Sequence, residues 1–129
     1  MNKILVEISV GELLDKISIL EIKKEKIKDS EKLKFINDEY NVLKDQLNRN
    51  IKSDQKLDDL FKSLKEINSR LWIIEDDKRM CEKNSDFGEK FIKLSRDVHF
   101  LNDDRAKIKF QINEHTGSKI KEIKEYTKY

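Results

Sequence analysis

From Leu57 onward the apolar residues recur at alternating steps of three and four: Leu57, Leu60, Leu64, Ile67, Leu71 and Ile74, then Phe87, Phe91, Leu94, Val98 and Leu101. A spacing sustained that long fits one face of a helix and no strand. There is no proline and there are only 3 glycines, Gly11, Gly88 and Gly117, to break such runs, so the expected fold is all-α. Short connections favour antiparallel neighbours. The expectation is therefore an antiparallel helical bundle of about four helices, or two long hairpins, with a short N-terminal extended arm and a C-terminal tail, forming a single helical domain over residues 1–129.

The alternation Ile4, Val6, Ile8 suits a short strand or an extended arm that lies across the bundle or reaches a second chain. Ser9 followed three residues later by Glu12 reads as a capping box and starts the first helix near Val10. Its inner face is Leu13, Leu14, Ile17, Leu20 and Ile27, and Asp29 or Ser30 caps the second helix, with Leu33, Ile36, Tyr40, Leu43 and Leu47 at regular spacing. The polar segment Asn48 to Ser53 marks a second connection, Asn84 to Gly88 a third with Ser85 or Asp86 as cap, and Gly117 a left-handed stop near His115. Helices of about thirty residues span roughly 45 Å, so the third and fourth are expected to project beyond the core.

Charges intrude on this pattern. The series Phe87 to Leu101 leads to Arg105 before Ile108 and Ile112 resume it, and a charge facing a core costs several kcal/mol unless paired. If the last two helices pair about a turn near Phe87, facing residue numbers sum to roughly 172, which puts Arg105 opposite Ile67 and Asn68 with no acid on the third helix. Glu21 or Asp15 on the first helix is the nearest kind of partner, and a structural ion pair of Arg105 with Glu21 is the specific expectation. Four of the five arginines, Arg70, Arg79, Arg96 and Arg105, cluster here in a chain otherwise rich in lysine, as bidentate carboxylate or phosphate recognition requires. On the third helix the inner flank holds Glu75, Arg79 and Glu82, with Glu75 and Arg79 spaced for an i,i+4 pair, and the sole tryptophan, Trp72, just before them.

The other signals are negative. Charged residues make up 42% of the chain with a net charge of +2, and the two signs alternate, which describes a solvated surface and not a nucleic-acid arm. His99 and Asp103 offer half a metal site without further ligands at a diagnostic spacing, so no metal and no cofactor is expected. Neither a P-loop nor a serine elbow is present, and Cys81 sits on core spacing. A single cysteine excludes an internal disulfide and fits the reducing cytoplasm, Ile4-Leu5-Val6 is too short for a signal-peptide core, and no membrane span is expected.

The runs Ile8-Ser9-Val10-Gly11-Glu12-Leu13-Leu14-Asp15-Lys16-Ile17, Leu20-Glu21-Ile22-Lys23, Leu71-Trp72 with Ile74-Glu75-Asp76 and Arg79, and Asn102-Asp103 with Arg105-Ala106 and Ile108-Lys109 resemble the small bacterial domain family of unknown function numbered 6165. The resemblance covers nearly the whole chain. It implies no activity, cofactor or catalytic residue, and it implies a link to cell-surface polysaccharide functions.

Two functions are weighed. The first is a non-catalytic helical interaction or assembly module, a homo-oligomer or the binder of a protein partner, working through the hairpin of the last two helices. The second is a binding protein or enzyme for an anionic small molecule such as a nucleotide or sugar-nucleotide. There Arg79, Arg105 and Lys109 would be the cations, Glu75 the acid/base and Asn102 the orienting hydrogen bonder. Absence of a complete catalytic set favours the first.

Overall fold

The computed structural model describes residues 2–129 and has four α-helices and, among those residues, no strand. Helix α1 (Val10–Lys26) begins where Ser9 Oγ accepts the Glu12 N–H at 3.1 Å. The other half of the expected capping box is absent, because the Glu12 carboxylate turns to Lys109. Ser9→Ala is expected to lower stability by about 1 kcal/mol in urea denaturation, the usual cost of losing an N-cap.

Helix α2 (Ser30–Asn50) is capped by Asp29, which accepts the Glu31 and Lys32 N–H groups, so the connection from α1 is a true turn. Helix α3 (Gln55–Lys83) is capped by Asp54, one residue later than the polar segment suggested; the Ser53 hydroxyl donates instead to Asp58. Helix α4 (Glu89–Thr116) ends at Gly117 with φ 66°. Its N-cap is Gly88 without a side-chain bond, and not Ser85 or Asp86: Ser85 takes the left-handed turn conformation at φ 52°, and Asp86 accepts the Gly88 N–H ahead of the helix.

The two antiparallel hairpins, α1/α2 and α3/α4, are joined through α1, which packs on all three other helices, whereas the α2 backbone approaches only α1. Leu14, Leu57, Leu64 and Ile112 form the core where the hairpins meet, with Leu47, Ile51 and Phe61 against it. Ile17, Leu20 and Ile22 are buried along α1, while Leu13 and Ile27 of the expected inner face are only half-buried.

With 17 residues, α1 is too short to cover the 29-residue α3. Beyond Leu71 only Cys81 is buried on α3, and before Leu101 no α4 residue is. The far part of the hairpin is therefore two helices thick, and its flank residues Glu75, Arg79 and Glu82 are exposed, not inward-facing as their spacing suggested. Among the described residues no helix is long and apolar enough to cross a membrane.

Candidate functional site

The site grows from a close approach of α1 to α4. A Cβ at Gly11 would sit 2.5 Å from the Lys109 carbonyl oxygen, so only glycine lets the two helices meet here. The Gly11 N–H, an orphan donor of the first helical turn, gives a 2.7 Å bond to Asn113 Oδ1. Val10 N–H likewise donates to Ser118 Oγ at 3.2 Å. One turn on, Asp15 is 1% exposed and lies against Arg105.

Arg105 therefore pairs with Asp15, not with Glu21. Its Nε and Nη2 donate to the two carboxylate oxygens at 3.0 and 2.6 Å, the bidentate fork that arginine geometry permits. Asn68 Nδ2 donates to the same carboxylate at 2.9 Å and to Ser18 Oγ at 2.8 Å, and Ser18 in turn donates to the Asp15 carbonyl. Glu21 lies six residues past Asp15, about 9 Å along the axis and on another side of α1. There it meets Lys65 at 3.1 Å and accepts from the Tyr40 hydroxyl.

Burial alone would push the Asp15 carboxyl up, but the hydrogen bonds from Arg105 and Asn68 and the charges of Arg105 and Lys109 outweigh it and hold the pKa below its ordinary value. A depressed folded pKa adds stability that is complete above the unfolded value of 3.8 and is lost as pH falls through the lower folded one. Thermal melts from neutral pH to about pH 2 should show this loss. In Asp15→Asn the fall below the ordinary carboxylate range should be shallower, from a lower starting stability.

Of the five residues singled out as ligand candidates, three converge. Asn102, Arg105 and Lys109 line an open cavity of about 860 Å³ with His99, Asp103 and the tail residues Tyr126 and Tyr129. Tyr129 packs edge-on against Phe100 and donates to Asp103, while Ile123 and Tyr126 stay 73% and 67% exposed. The cations here are already occupied. Lys109 meets Glu12 at 2.7 Å and Glu122 at 3.4 Å, Lys124 meets Glu122 at 2.8 Å, and Arg105 holds Asp15 while its Nη1 donates to Asn102. Glu12, Asp15, Asp103 and Glu122 face Arg105, Lys109 and Lys124, so no surplus positive charge awaits an anion. Among the described residues no group of three or more His, Cys, Asp or Glu side chains is arranged to hold a metal.

Glu75 and Arg79 belong to a second concavity, of about 330 Å³, between α1 and α3. Ile19, Ile22, Leu71 and Trp72 give it an apolar floor, Glu75, Asp76 and Arg79 a charged rim, and Arg105 forms part of the wall between the two cavities. Glu75 and Arg79 do not form the i,i+4 pair their spacing allows; both point into solvent. Sequence reasoning set Asn68 opposite Arg105 without giving it a role, and missed Asn113 in the interior and Ile19 and Ile22 in the groove. Both asparagines sit one residue past a stripe position, after Ile67 and Ile112, so the spacing test that found Arg105 does not single them out.

A family model described as a family of unknown function (DUF6165) matches residues 4–129. No curated protein and no solved structure matches the chain.

Proposed function

The chain belongs to the family of unknown function DUF6165, and from that premise we propose that it is a non-catalytic interaction module that holds a partner protein in the groove between α1 and α3. One observation carries the reading: the groove is an apolar concavity floored by the sole tryptophan and rimmed by Glu75, Asp76 and Arg79, which have no ion-pair partner among the described residues. Protein interfaces have this anatomy, an apolar centre that receives an anchor side chain inside a polar rim, with tryptophan and arginine over-represented among energetic centres.

The anionic-ligand reading draws less support, since Arg105 and Lys109 are neutralised in the larger cavity and, among the described residues, Arg79 is the one cation on the groove without an ion-pair partner. A photo-crosslinking residue at Asp76, used in lysate of the source cells, tests the proposal. A discrete protein adduct, identified by mass spectrometry and lost when Ile19→Glu places a charge on the groove floor, is the expected result. The proposal fails if no protein is captured while a nucleotide or sugar-nucleotide raises Tm in the wild type and not in Arg79→Gln.

A further inference from the structure

The segment before α1 does not lie across the bundle. Ile4, Leu5 and Val6 are 85%, 91% and 73% exposed, and among the described residues no backbone hydrogen bond ties residues 2–8 to the helices. Neither Lys3 nor Glu7 has an ion-pair partner among the described residues. An apolar run in water with free backbone donors and acceptors is a template for strand pairing, and Ile and Val are good strand formers.

The sequence of this arm is self-complementary. In an antiparallel pairing centred on Leu5, Lys3 of one copy faces the partner's Glu7 and Glu7 faces the partner's Lys3. Ile4 then stands opposite the partner's Val6 and Leu5 opposite its own counterpart. Period-2 alternation gathers Ile4, Val6 and Ile8 of both copies on one face and both charge pairs on the other.

We propose that the N-terminal arms of two copies pair in this antiparallel register and make the protein a homodimer. A two-stranded ribbon alone is marginal in water, so its apolar face needs cover. Ile120 and Ile123, 39% and 73% exposed, begin the tail at the same end, where Ser118 binds the first turn of α1. The two-fold arrangement is isologous, with each arm supplying the same residues to the other. This inference does not depend on the groove reading, because the arm and the groove share no residue.

Sedimentation velocity on the full chain across a concentration series tests it. The wild type should dimerise, and Lys3→Glu or Glu7→Lys alone, each creating two like-charge pairs, should weaken the dimer about tenfold. The double variant K3E/E7K should regain wild-type association, and a general charge effect would not make both single reversals, which shift the net charge in opposite directions, weaken the dimer. Leu5→Cys in a Cys81→Ser background should oxidise to a disulfide-linked dimer. A wild type that stays monomeric, a dimer indifferent to both single reversals, or no rescue in the double variant would overturn the proposal. The arm is almost wholly in solvent, so these variants leave the helical fold intact and circular dichroism should show it unchanged.

Discussion

Arg105→Met is expected to cost about 3–4 kcal/mol at pH 7.5, among the largest effects of any single change that leaves the apolar core untouched. It leaves the Asp15 carboxylate, 1% exposed, with Asn68 as donor and Lys109 at 3.6 Å in place of a bidentate guanidinium. Protonation bounds the penalty: neutralising a carboxyl of ordinary pKa at pH 7.5 costs about 1.4 kcal/mol per pH unit above that pKa, or roughly 5 kcal/mol in all. The deficit should therefore shrink as pH falls toward 4.5, a range in which the wild type keeps its full Asp15 contribution, because in the variant the folded Asp15 pKa lies above the unfolded one. Urea denaturation followed by circular dichroism at the two pH values measures this. A loss under about 1 kcal/mol at pH 7.5 would show that the pair does not close the interior. Asp15→Asn should cost less, since the Arg105 side chain is 29% exposed and can be hydrated.

Gly11→Ala is expected to cost about 2–3 kcal/mol although alanine is the better helix former. The new Cβ would stand 2.5 Å from the Lys109 carbonyl oxygen and 3.0 Å from Asn113 Oδ1, so α1 must lift off α4. Lifting it stretches the Gly11 to Asn113 bond and opens the network around Asp15. The nearest atom belongs to the backbone, so trimming the side chain with Asn113→Ser should not rescue the variant. A Gly11→Ala protein as stable as the wild type, or a restored double variant, would mean that the helices do not rely on this contact.

Much of the site's logic was local and therefore legible. Arg105 stood out because it occupies a core position, and a buried guanidinium needs a counter-charge wherever it lies. The α3/α4 pairing was also readable: a short turn fixes the offset of the two helices, and Asp54 with His115 and Lys78 over Phe91 join residues whose numbers sum to 169, three short of the expected value. No such constraint places α1, which reaches the hairpin only through α2. The choice of Asp15 over Glu21, and the division of the candidate residues between two cavities, followed from that placement.

The sequence by itself determined the four helices, the cap at Ser9, a second cap at Asp29 or Ser30, the stop at Gly117, and the need for an acid beside Arg105. Each depends on residues within a turn or two along the chain, or on the charge of a single side chain. The tertiary structure alone decided which acid that is, that the charged flank of α3 faces water, and that Trp72 floors a groove. Helical periodicity fixes the direction of a side chain about its own axis but says nothing of how far one helix slides along another. Here that offset is set by a missing Cβ at Gly11.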